Sequence, residues 1–253
     1  MGYEKGLAVF IDILGTQKSN YNELNNINNI FHNELIRLNE KQMSCKRFAT
    51  SFSDCAYIIY EINEHNENNE KDTAFYYYIH DSLIDLAYTI STIQINGFLC
   101  RGGISYDELH CNKDRNIIFG PAINEAHKLE TEAMMPRIIL SDKLGDDLYK
   151  KEDIVIKNKF QKLIRKDVID DRYYLNNLYA FSQFDYMDYD EGLFNEKIPL
   201  GDKEYSFDEC YSKLKKNSIE AVKNNTDHKI IAKHKWQLNY LTQHRKERKS
   251  LQR

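Results

Sequence analysis

Two aspartates are placed where carboxylates need partners. Asp12 closes the apolar run Leu7-Ala8-Val9-Phe10-Ile11, and Asp54 follows 42 residues later, between Ser53 and Cys55. Consecutive apolar residues are the pattern of a strand buried on both faces. A carboxylate at the end of such a strand needs a reason, because an unpaired buried charge is strongly unfavourable. Two reasons are economical: a cap for the turn or helix that follows Gly15, or a divalent cation. The stretch Arg47 to Tyr60, RFATSFSDCAYIIY, reads as a hairpin with Ser53-Asp54 at its turn. If the first strand lies beside that hairpin, Asp12 and Asp54 meet at one edge. Two carboxylates so close repel, and one takes up a proton unless a cation bridges them. Mg²⁺ or Mn²⁺ suits such oxygen donors, and the backbone carbonyl of Ile13 offers one more. Arg101 is a charge inside the strand FLCRGGIS, followed by Gly102-Gly103. A glycine pair there lets a second backbone or a ligand come close.

The elements that position these residues follow from periodicity. Residues 21–42 carry Leu24, Ile27, Ile30, Phe31, Leu35 and Leu38 at helical spacing, and Thr73 to Ile95 does the same with Ile79, Leu83, Leu86 and Ile90. Gly97 ends the second helix. The stretch 107–115 reads as a polar hairpin loop, and Ile117 to Phe119 as a short strand. Gly120-Pro121 opens the helix AINEAHKLETEA, since proline suits a first helical turn. Arg137 to Leu140 and Tyr173 to Phe181 read as strands, and Ser141 as the cap of a short helix. Residues 63–72 and 184–201 read as loops. Residues 207–253 form two helices broken near Asn224-Asn225, and Lys150 to Asp171 is charged and weakly periodic. The order strand, helix, strand, strand, helix, strand predicts an α+β, ferredoxin-like (split βαβ) sheet with helices on one face. A helical C-terminal extension follows, with residues 1–150 as the site-bearing domain and 151–253 packed on it.

Composition narrows the functional classes. The 253 residues are 42% hydrophobic and 29% charged, with a net charge of −4, which disfavours a general nucleic-acid coat and a polybasic membrane anchor. No apolar run approaches the roughly 20 residues of a membrane span. Neither a secretion signal nor the myristoylation pattern is present at the start, so a cytoplasmic protein is expected. Five scattered cysteines without a CxxC pair fit a reduced compartment, with Cys55 and Cys100 expected in the core. The basic end HRKERKSLQR reads as a solvated helix terminus.

The run FIDILGT, the hairpin SFSDCAYIIY, the strand RGGIS and the segment FGPAINEAHKLE, in that order, resemble the catalytic domain of class III nucleotidyl (adenylate/guanylate-type) cyclases. The resemblance spans about residues 7 to 140. It implies that Asp12 and Asp54 hold two divalent metal ions, Mn²⁺ or Mg²⁺, against a nucleoside triphosphate. It also implies a catalytic asparagine and an arginine four residues later. Asn124 matches the first; Lys128 stands at the second, keeping the charge and losing the bidentate fork. Lys128 alone also reads as a solvated helix face. The positions that choose the base fall on Thr50 and Ile117. The Lys and Asp pair that reads adenine is absent, and Ile117 cannot hydrogen-bond a base.

That departure resembles the pyrimidine cyclases of Pycsar antiphage defence, which make cyclic UMP or cyclic CMP for a separate effector protein. In such a pocket Thr50 contacts the pyrimidine, and Arg101 reaches base or phosphate or else forms a structural ion pair. The resemblance further implies a homodimer, with active sites at the interface and Asn124 facing the metal aspartates of the other copy. Three other readings stay open. One is a purine nucleotide cyclase. Another is a two-metal transferase of the diguanylate cyclase type, although the GG(D/E)EF signature is missing, since Gly102-Gly103 is followed by Ile104-Ser105. The last is a catalytically weak or inactive cyclase-like module that binds nucleotide or a partner.

Overall fold

The structure, a computed structural model, describes residues 2–16, 20–40, 46–62, 71–179, 197–200 and 203–251. Its first half runs β1 (Glu4–Ile13), α1 (Tyr21–Glu40), β2 (Lys46–Phe52), β3 (Cys55–Glu61), α2 (Lys71–Ile95) and β4 (Cys100–Asn112). The next part holds β5 (Ile117–Phe119), α3 (Pro121–Glu132), β6 (Ile138–Leu140), α4 (Asp142–Tyr149), α5 (Ile154–Leu163), β7 (Ile164–Lys166) and β8 (Tyr173–Leu175). The last part holds β9 (Lys197–Leu200), β10 (Lys203–Ser206), α6 (Phe207–Asn224) and α7 (His228–Leu251).

The sheet order is β2-β3-β1-β4-β6-β8-β7, with β5 on β4. The first four strands are antiparallel neighbours, which is the expected split βαβ arrangement. β1 is therefore hydrogen-bonded on both sides, to β3 and to β4, and its residues Leu7 to Ile11 are all buried. Alternation sends Leu7, Val9, Ile11 and Ile13 to one face, where they pack with Ile27, Phe31, Ile79 and Leu83 of α1 and α2. Ala8 and Phe10 point to the other face, against Ala122, Ile123 and Ala126 of α3. The helices thus cover both faces, not one. What admits α3 is Gly103: a Cβ there would overlap the Ala126 carbonyl oxygen and the Leu129 Cβ. The glycine pair serves the approach of a backbone.

The β2–β3 hairpin that carries Asp54 is fastened from below. Arg47 of β2 is ion-paired with Asp85 of α2, both buried, and Asp85 also accepts from Tyr60 Oη at 3.3 Å. Arg37 of α1 joins them, 3.4 Å from Asp85 and 2.9 Å from Glu34, with Thr89 as a further acceptor at 2.8 Å. On the outer edge of β2, the Asn39 amide both donates to and accepts from the Ala49 backbone at 2.8 Å, closing part of an edge otherwise open to pairing.

Several boundaries move. β4 continues through the expected 107–115 loop as far as Asn112, because its polar end pairs with both β1 and β5. The charged stretch 150–171 contains α5, capped by the Asp153 side chain, and β7. The strand at Tyr173 stops at Leu175. Of the two stretches read as loops, residues 63–70 and 180–196 lie outside the described residues, whereas Lys197–Leu200 forms β9. The break near Asn224-Asn225 separates α6 from α7 as expected, and helix α7 continues through the basic end to Leu251. Gly103→Ala should displace α3 from the sheet and lower stability by about 2 kcal/mol, as overpacking of a tight contact does, read as a lower urea midpoint.

Candidate functional site

β1 delivers Asp12 to the end of the sheet, and the β2–β3 turn delivers Asp54 to the same point. Asp12 lies opposite Cys55 in the β1–β3 register, and the Ile13 N–H donates to the Asp54 carbonyl oxygen at 3.0 Å. Ser53 makes the turn with φ of 58°, left-handed and uncommon outside glycine. One carboxylate oxygen each from Asp12 and Asp54, with the Cys55 Sγ, all lie within 4.8 Å of one another. Cys55, expected in the core, is half-buried beside the two carboxylates; Cys100 is fully buried as expected.

Across β1 on the other side, Arg101 stands opposite Asp12 in the β1–β4 register. Its Nε lies 2.5 Å from Glu130 of α3 and 3.4 Å from Asp12. Of the two roles open for Arg101, the ion pair is the one present within the chain. Glu130 is buried, with 7% of its side chain exposed. Its signal was legible in α3, whose buried positions Ala122, Ile123, Ala126, Leu129 and Glu130 place a charge on the apolar stripe.

The two aspartates are electrostatically unlike. Burial pushes the Asp12 carboxyl above its ordinary range; repulsion from Glu130 and Asp54 adds to this, against the pull of Arg101. Burial acts on Asp54 too, but hydrogen bonds outweigh it, led by the Thr16 hydroxyl donating to Oδ2, and hold Asp54 below its usual value. Burial and the carboxylates push the Cys55 thiol up to about 11. A site with clustered anionic donors, one kept ionised and one destabilised by its neighbours, is complementary to a divalent cation. Asp12 and Asp54 fit that role, with the raised Cys55 thiol beside them at the rim.

The remaining positions are dispersed. Thr50 alternates with buried Ala49 on β2 and so shares the sheet face of Asp12, opposite Tyr57, whose ring is 4.6 Å from Phe10. Ile117 pairs with Asn112 at the far end of β4, eleven residues from Arg101, and does not join the carboxylates of its own chain. Asn124 is exposed on α3. Lys128 is 63% exposed and lies 3.5 Å from Glu125 and 3.8 Å from Glu132 on its own helix. One residue had no signal in the sequence: Lys233 of α7 is partly buried and interacts electrostatically with Arg101 and Asp12. Among the described residues, no helix is long and apolar enough to cross a membrane.

No known family and no curated protein matches the chain. Among solved structures it is similar to the adenylyl cyclase CyaB from P. aeruginosa, with 15% identity and a TM-score of 0.45 over 68% of this chain and 94% of that one. It is also similar to a bacterial light-regulated adenylyl cyclase, at 17% identity and a TM-score of 0.39, over 69% of this chain and 52% of that one. A third similarity is to the guanylyl cyclase Cya2, at 13% identity and a TM-score of 0.37, over 58% and 80% of the two chains.

Mn²⁺ should raise the melting temperature of the wild-type protein, because a cation that binds only the folded state stabilises it. Asp12→Asn and Asp54→Asn should remove that shift. Protons compete for Asp12, whose carboxyl is raised in the folded state, so the Mn²⁺ shift should shrink on acidification beginning above the ordinary aspartate range. Thermal scans at a series of pH values check both outcomes.

Proposed function

We propose that this protein is a class III nucleotidyl cyclase that converts UTP, or CTP, to the 3′,5′-cyclic monophosphate and pyrophosphate. The observation that carries the reading is the meeting of Asp12 and Asp54 at one end of the split βαβ sheet, within motifs that run in the cyclase order. In the reaction the ribose O3′ bonds to the α-phosphorus, the bond from that phosphorus to the bridging oxygen breaks, and pyrophosphate leaves with it. The hydroxyl proton passes to solvent. Asp12, Asp54 and the Ile13 carbonyl oxygen would hold two divalent cations. When bound, these supply Lewis acidity toward the attacking hydroxyl and neutralise charge on the departing phosphates.

The chain's own residues prepare that geometry. Thr16 keeps Asp54 ionised and fixed. Arg101, held by Glu130, reaches Asp12 from the other side at 3.4 Å. Thr50 lies on the Asp12 face of the sheet, where its hydroxyl reads a pyrimidine edge. Asn124 and Lys128 lie on the exposed surface of α3, with Lys128 beside Glu125. They therefore act in a second copy's site, and the homodimer builds two equivalent sites across its interface. The product serves as a second messenger in antiphage defence, read by a separate effector.

Purified protein should be incubated with each of the four ribonucleoside triphosphates and Mn²⁺ or Mg²⁺, and the products separated by chromatography. Cyclic UMP is expected as the main product and cyclic CMP as the minor one, with Asp12→Ala and Asp54→Ala reduced to background. Mixing Asp54→Ala with Asn124→Ala subunits should recover activity, since one site of the mixed dimer is intact. Product from ATP or GTP alone would overturn the pyrimidine assignment; silence with all four would leave a binding module.

A further inference from the structure

The C-terminal helices bring charge of the opposite sign to this site. Residues 207–251 contain eleven Lys and Arg against five Asp and Glu, in a chain whose net charge is −4. The rest of the protein is therefore distinctly acidic, and the site itself gathers Asp12, Asp54 and Glu130 around Arg101. A nucleoside triphosphate is a polyanion, and divalent cations on the aspartates would offset only part of its charge, so a side-chain cation near the site adds to its attraction.

Helix α7 supplies it at one position. Its inward stripe is Gln237, Tyr240, Leu241 and His244, all at 5% exposure or less. Lys233 precedes Gln237 by one turn, so it belongs to the same stripe. Gln237 Nε2 donates to Gln94 Oε1 at 3.4 Å, and Asn217 of α6 donates to the Ile95 carbonyl oxygen at 3.4 Å. These bonds seat the hairpin on the last turn of α2, whose chain continues through Gly97 directly into Cys100 and Arg101. Lys233 is thus set down at the Asp12 end of the sheet. His234 beside it is turned to Ser218 Oγ at 3.4 Å, whereas Lys233 interacts electrostatically with Arg101 and Asp12. Burial first, and then the nearby Arg101, lower the Lys233 ammonium from its ordinary value, only partly offset by the pull of Asp12 and Asp227.

We propose that Lys233 is a phosphate-binding cation of the site, delivered by the same chain that carries Asp12 and Asp54. The proposal rests on the nucleotide reading above. Arg101 is committed to Glu130 and Asp12, whereas Lys233 makes no direct ion pair among the described residues. It is the charge free to meet a triphosphate.

The test is calorimetric titration of the full-length protein with tripolyphosphate in the presence of Mn²⁺. This reports phosphate binding without a base and without turnover. Lys233→Met should weaken binding about tenfold, as loss of one charge-assisted hydrogen bond does. Lys233→Arg should keep most of the affinity, and Lys216→Met, on the solvent side of α6, should change nothing. Lys233→Gln, of similar length, gives the same answer if Lys233→Met fails to fold. Unchanged binding in the Met and Gln variants would overturn the proposal. Tighter binding would also overturn it, because the lysine would then be shielding Asp12 from cations. Failure of the cyclase reading looks different: no cyclic product from any nucleotide, with tripolyphosphate binding still dependent on Lys233.

Discussion

Everything in this fold hangs on β1 having no wet side. Hydrogen-bonded to β3 on one flank and β4 on the other, and covered above and below by apolar side chains, it can present a polar group only where it ends. Asp12 is that end. The same constraint fixes its neighbours: the strand on one side must begin at Cys55, and the strand on the other must place Arg101 opposite. A slip of one residue would turn Asp12 into the core and expose Ile11 or Ile13, so the register that buries the strand also builds the site.

The charges around Asp12 form a graded set. Asp54 is solvated by hydroxyl and backbone donors and stays ionised, while Asp12 is left uncomfortable by burial and Glu130. Arg101 relieves only part of that tension, since it is shared with a glutamate buried under α3. A cation placed between the two carboxylates would relieve that unfavourable energy, which is why buried carboxylate pairs favour metals more than bare surface carboxylates do. The buried Arg47–Asp85 pair, remote from this chemistry, acts on it only by keeping the Asp54 hairpin at a fixed height.

The sequence made some of this arrangement readable and hid the rest. The first four strands and two helices were legible, because each has one strong apolar period and the order of elements permits few topologies. The meeting of Asp12 and Asp54 followed from that order alone. Glu130 was equally legible, as a charge on the apolar stripe of α3, yet its partner Arg101 lies 29 residues earlier and nothing local pairs them. The elements α5 and β7 were hidden in a charged stretch, since short elements take their stability from packing more than from their own pattern. Lys233 was out of reach altogether. It is one of many lysines on a polar helix, and only the seating of that helix on α2 singles it out.

The position of β1 has a further consequence for how the chain is made. Its two hydrogen-bonding neighbours are completed only at Glu61 and Asn112, so the apolar segment from Leu7 to Ile13 emerges from the ribosome long before either flank exists. At about 5–20 residues per second of synthesis, the second flank arrives roughly 5–20 seconds after β1 itself. Throughout that interval a seven-residue, β-prone stretch bearing a single charge is without its partners, the kind of segment that pairs with copies of itself. Asp12, half of the carboxylate pair in the finished protein, is also the only charge interrupting that stretch, the kind of residue that disfavours such self-pairing.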